Sequence, residues 1–196
     1  MLRKALVALV AGLVSSVLVL SSAAAGTKNP TGVISCTLSG GTLSLSPWLT
    51  NTASTATVAM AISGAGPCDN SGVIGGKAPI TDMSITYSAT LDTGATCADA
   101  LPQTVPSSTS FQITWQYRKS SNKLKTVAVT TGELTALAVG FLGDWGVFLA
   151  PDPGGAFADS LIRLEVFFDG VAASSACATV NGWTSSTLTG GTLEAG

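Results

Sequence analysis

The stretch FQITWQYR, Phe111–Arg118, alternates without a break. Phe111, Ile113, Trp115 and Tyr117 fall on one side, Gln112, Thr114, Gln116 and Arg118 on the other. A period of two belongs to extended backbone, in which successive side chains point to opposite faces. Four large apolar residues on one face describe a strand half-buried in a sheet. Lys119-Ser120-Ser121-Asn122 then turns the chain, and Lys123–Thr131 returns as the second arm of a hairpin. That arm changes phase between Leu124 and Val127, which predicts a bulge.

The same chemistry extends outward on both sides. Val33–Leu38 and Thr42–Ser46 read as one strand broken at Gly40-Gly41, and Pro47-Trp48 turns the chain. Thr55–Ile62, Thr81–Leu91 and Leu161–Phe168 alternate, and Leu134–Leu142 and Trp145–Leu149 read as further strands. Thr187–Leu193 is predicted as the last strand. Gly64–Pro79 is read as a long loop from its five glycines and two prolines, and Pro151–Gly155 as a shorter one. No segment after the leader has helical periodicity. Many short strands between turn signals predict an all-β domain, a Greek-key-like β-sandwich of the Ig-like or jelly-roll type.

Residues 1–25 read as a cleaved signal peptide. Arg3 and Lys4 precede an uncharged, apolar run from Ala5 to Leu20, and Ala23-Ala24-Ala25 provides a small-x-small cleavage site. The run is too short for a bilayer span, for which about 20 apolar residues are needed. The expected mature chain, 26–196, suits one domain and is predicted to be secreted, extracellular or loosely held at a cell surface, with no membrane span after cleavage.

Composition removes several functions. The chain has no histidine, so a Ser-His-Asp or Cys-His triad and any histidine-ligated metal are excluded. Formal net charge is −2, and losing Arg3 and Lys4 makes the balance more acidic, which argues against nucleic acid as a partner. Charged residues are only 10%, so the surface depends on Ser and Thr hydroxyls for its contact with water.

Cys36, Cys68, Cys97 and Cys177 all follow the leader and predict two disulfides, with three possible connectivities. Antiparallel strand order favours Cys36–Cys68 and Cys97–Cys177. It puts the loop carrying Cys68 at the same end of the sheet as Cys36, and Cys97 at the other. Neither Cys-x-x-Cys nor histidine is present to suggest a metal site instead.

The stretch CTLSGGTLSLSPWLTNTASTATV, Cys36–Val58, with its Ser46-Pro47-Trp48-Leu49-Thr50 turn and the later Thr114-Trp115, resembles small exported β-rich, disulfide-containing proteins of high-GC Gram-positive bacteria. The resemblance covers about half of the chain after the leader. It implies export, β structure and disulfides, and names no active residue.

Candidate chemistry is sparse. Glu165 alternates with an apolar set and should face water beside Arg163, while Glu133 follows Gly132 in a turn, so both read as surface carboxylates. Asp144, Asp152, Asp159 and Asp169 stand singly in or beside loops, without the close spacing of a calcium loop. Arg118, Lys119, Lys123 and Lys125 flank the hairpin turn and read as solvated charge that protects a strand edge from pairing. Trp48, Trp145 and Trp183 fall in or near loops and are the candidate ligand contacts, since exposed aromatic rings stack on sugars or dock proteins. Trp115 belongs to the core face.

The expectation is a non-enzymatic binding or envelope-associated module, with no catalytic residue, cofactor or metal. Its partner would be a cell-envelope polysaccharide or a secreted protein. The alternatives are an enzyme inhibitor or hydrolase acting through a loop, for which Gly64–Pro79 is the candidate, and a purely structural surface protein.

Overall fold

The computed structural model describes residues 29–97, 108–138 and 143–196, with backbone alone at 136–138. The predicted signal, residues 1–25, lies outside the described residues. Among these residues nine strands and one helix are formed: β1 Thr31–Leu38, β2 Gly40–Leu49, β3 Val58–Ile74, β4 Asp82–Leu91, β5 Ser108–Arg118, β6 Leu124–Ala138, β7 Asp144–Pro151, β8 Ile162–Phe168, α1 Gly170–Cys177 and β9 Trp183–Ala195.

From β2 to β9 each strand pairs antiparallel with the next. β9 then pairs back onto both β2 and β1, and β1 pairs with the far half of β3. β1 and β2 run end to end between β3 and β9, as one strand interrupted at Ser39. The hydrogen-bond ladder therefore closes into a ring of eight positions. The all-β class and the disulfides stand. The strands hydrogen-bond as a single nine-stranded sheet whose connections are sequential from β2 to β9. Alternation in the sequence shows which face of a strand is buried. It does not show which strands are neighbours, so the closing β9–β1/β2 seam has no local signature.

An eight-stranded ring is just wide enough for its own side chains to fill. The inward set alternates as the sequence predicts: Ile34, Cys36 and Leu38; Val58, Met60 and Ile62; Ile85 and Tyr87; Phe111, Ile113 and Trp115; Ile162, Leu164, Val166 and Phe168 are all buried. Ser and Thr occupy many of the outer positions, and Thr42 and Ser63 bridge two strands at 3.1 Å there. The predicted bulge is present: Trp115 pairs with Ala128 and Gln116 with Thr126, which leaves Val127 without a partner.

Two readings change. Gly64–Pro79 is not one long loop, because β3 continues to Ile74. Its glycines serve close approach between strands rather than turning. A Cβ on Gly66 would lie 1.8 Å from the Thr37 carbonyl oxygen. The second change is α1, which the sequence reading omits. Its segment, GVAASSAC, is small throughout and buries only Gly170, Ala173 and Cys177, so no apolar stripe marks it. The remaining signal is Asp169, whose Oδ1 accepts a hydrogen bond from the Ala172 amide at 2.9 Å and caps the helix.

Both favoured disulfides form, Cys36–Cys68 and Cys97–Cys177. The first joins directly paired residues of β1 and β3. The second ties α1 to the turn after β4 at the opposite end of the ring, where Asn51 donates to the Cys177 carbonyl and the Cys97 amide to that of Thr50. At the end holding Cys36–Cys68, the β7–β8 connection folds inward. Phe157 is fully buried against Trp115 at 4.8 Å, and its amide donates to the Pro30 carbonyl at 2.8 Å.

Candidate functional site

The interior is packed with aromatic rings. Tyr87 of β4 and Trp145 of β7 meet edge-on across the ring at 5.1 Å, and Trp183 stacks on Phe168 at 5.7 Å. Trp145 and Trp183 are thus core residues, 2% and 1% exposed, and their burial withdraws them as ligand contacts. They lie at strand starts rather than in loops, with Trp183 Nε1 donating to Ser186 Oγ at 3.0 Å. The Tyr87 hydroxyl is buried without a hydrogen-bond partner among the described residues, and that burial pushes its pKa well above the ordinary phenol value.

Trp48 is different. In the antiparallel ladder Leu49 points inward and is fully buried, which turns Trp48 outward at 54% exposed. Gly182 backs the indole, with φ +64°, and a Cβ there would stand 2.4 Å from Trp48 Cδ1. The ring is therefore presented to solvent with one flank resting on backbone. Of the three candidate tryptophans, Trp48 alone keeps a surface available for stacking.

A second surface feature crosses the outer face of β4, β5 and β6. A groove of about 410 Å³ is lined by Thr86 and Ser88, Ser110 and Gln112, and Thr131 and Glu133, with Asp152 at its rim. Thr131 Oγ1 donates to Asp152 Oδ2 at 2.7 Å, and the Asp152 amide donates to the Thr131 carbonyl at 2.7 Å. Glu133 and Asp152, far apart in the sequence reading, thus share one groove. Pairing of β6 with β7 brings them together, since Glu133 lies opposite Ala150.

The other acidic candidates have local duties. Asp169 caps α1. Asp144 is half-buried, and desolvation, then the charge of Glu165, raises its carboxyl pKa while Arg163 lowers it. Glu165 faces outward beside Arg163 as the sequence predicts, 3.3 Å from its guanidinium. Asp159 lines a shallow cavity with Asn29 and Ile74 at the Phe157 end. Asp69, which the sequence reading passes over, accepts the Ser71 amide at 2.9 Å, and that hydrogen bond holds its carboxyl below the usual range. No three His, Cys, Asp or Glu side chains gather as a metal set among the described residues, and no described helix is long and apolar enough to cross a membrane.

The geometry defines a closed, disulfide-braced β-barrel whose chemistry is displayed on its outside. No family model, curated protein or solved structure matches the chain.

Proposed function

We propose that this chain is a secreted, non-enzymatic, envelope-associated module that binds a cell-envelope polysaccharide through its outer surface. Trp48 carries the reading: an exposed indole braced by Gly182 loses little freedom when a sugar ring stacks on it. The hydroxyl- and amide-lined groove on β4–β6 supports it, since such groups exchange hydrogen bonds with polyols. In this reading the closed sheet is a flattened, sandwich-like body, its walls β4 and β7 joined through Tyr87 and Trp145. The two disulfides and the predicted leader fit an oxidising, exported setting.

The test is retention of oxidised protein on washed envelopes and insoluble polysaccharides. Trp48→Ala should weaken binding about tenfold, the scale of one lost aromatic stacking contact. Absence of retention on every matrix, or a Trp48→Ala protein that binds like the parent, refutes the proposal.

One observation favours a second reading. Glu133 and Asp152 in a single groove supply the two carboxylates that glycoside hydrolysis uses. Release of reducing ends from the bound polysaccharide, abolished in Glu133→Gln, would establish it. Both carboxylates are open to water, which suits hydrogen bonding to ligand hydroxyls and ranks the binding role first.

A further inference from the structure

Lys77, Arg118, Lys119, Lys123 and Lys125 make up more than half of the chain's 9 basic residues, in a chain whose net charge is −2. The fold collects all five at one end, around the β5–β6 hairpin and the β3–β4 connection. That connection is pinned to β5, because the Thr81 amide donates to the Gln116 carbonyl at 2.9 Å and the Arg118 amide to Thr81 Oγ1 at 2.8 Å. Lys77 thereby shares a cleft of about 280 Å³ with Tyr117 and Lys125, which are paired residues on β5 and β6.

The bland account of such a cluster is protection of a strand edge. It accounts for Lys123 and Lys125, because β6 pairs with β7 only from Gly132 onward and its rim before that is open, but it does not account for Lys77, which the β3–β4 connection brings to the same cleft as Lys125. Ion pairing does not account for it either. Arg118 is engaged by Asp82, which also accepts from Thr81. The ion pairs among the described residues are this one and Arg163–Glu165, so the four lysines have no carboxylate partner among those residues.

We infer that this end of the barrel binds an acidic polysaccharide, with one charged sugar held against Tyr117 between Lys77 and Lys125. Half-buried Tyr117 offers a phenol ring to a sugar, and Lys77 and Lys125, which line the same cleft, supply the charge to receive a carboxylate. The overall acidity of the chain opposes a stiff polymer of high charge density, and a patch at one end suits a flexible chain with one charge per sugar. The inference rests on the binding-module reading but not on Trp48.

The experiment is titration of the oxidised protein, at low salt, with polygalacturonate and with the same polymer fully methyl-esterified. Binding to the acid form, none to the ester, and loss by 0.5 M NaCl on the order expected from a Debye length of about 4 Å are the expected results. Lys77→Gln with Lys125→Gln should weaken binding about tenfold, Tyr117→Ala should weaken it too, and Arg163→Gln on β8 should leave it unchanged. Trp48→Ala should also bind polygalacturonate like the parent, which separates this surface from the Trp48 contact. Equal affinity for the ester, or lysine variants that bind like the parent at an unchanged melting temperature, overturns the inference. Displacement by inorganic polyphosphate together with an inert Tyr117→Ala would show a surface that reads charge alone, and overturns the sugar-specific part.

Discussion

Thr130 is one of the few buried polar residues of the barrel, fully enclosed, and its hydroxyl works in both directions. It accepts from Trp115 Nε1 at 2.7 Å and donates to the Ala156 carbonyl at 2.7 Å. One oxygen therefore links β5, β6 and the connection that inserts Phe157. Thr130→Val keeps the shape and removes both bonds, leaving a buried N–H and a buried C=O unpaired. Each orphaned group costs about 1–3 kcal/mol, and the new methyl returns roughly 1 kcal/mol. The net loss should be about 1–5 kcal/mol, a fall of about 2–20 °C in melting temperature for a domain of this size. Thermal and urea unfolding followed by far-UV circular dichroism measure it. Thr130→Ser retains the hydroxyl and should lose only about 1 kcal/mol for its methyl. A Trp115→Phe, Thr130→Val double-mutant cycle should show coupling between the two sites. A Thr130→Val protein within about 0.5 kcal/mol of the parent would refute the reasoning, since that is the noise of an ordinary neutral substitution. So would a serine variant as unstable as the valine.

Two further outcomes follow from the interior and the disulfides. Tyr87→Phe should be neutral or raise stability by about 1 kcal/mol, because it deletes a buried hydroxyl with no partner; a clear loss in the same unfolding assay would mean that this hydroxyl is satisfied in solution. Replacing Cys97 and Cys177 together with alanine should destabilise more than replacing Cys36 and Cys68, since the bridges span 80 and 32 residues, worth about 4.5 and 3.7 kcal/mol in the chain-entropy account. Hydrogen exchange should then show α1 losing protection first, and faster exchange in β1 instead would reverse that assignment.

The legible part of this fold is what nearest neighbours in sequence determine. Alternation in Phe111–Arg118 and Ile162–Phe168 predicts which side chains enter the core, and the phase change before Val127 is the bulge. Cysteine placement followed as well, because Cys36 and Cys68 are set by strand direction alone. Other features depend on partners distant in the chain. The glycines of β3 look like turn signals until Thr37 is brought against them. Trp145 and Trp183 look like loop aromatics until Tyr87 and Phe168 arrive across the ring or beside them. Trp48 looks the same in sequence and is exposed, because Leu49 next to it takes the inward position. The pairing of Glu133 with Asp152 in one groove, and of Lys77 with Lys125 in one cleft, is likewise made by the sheet and has no trace in local spacing.

The seam between β9 and β1/β2 joins the first strands of the chain to the last. During synthesis the early strands emerge long before the thirteen residues of β9. Until β9 docks, β1/β2 and β8 each expose an unpaired rim of backbone, and β1/β2 carries no charge to repel another copy. All four cysteines precede β9, so oxidation can staple the open sheet during that interval. The disulfides thus guard an unfinished chain as well as a finished one, and a secretion host that oxidises slowly should accumulate paired multimers in place of monomer.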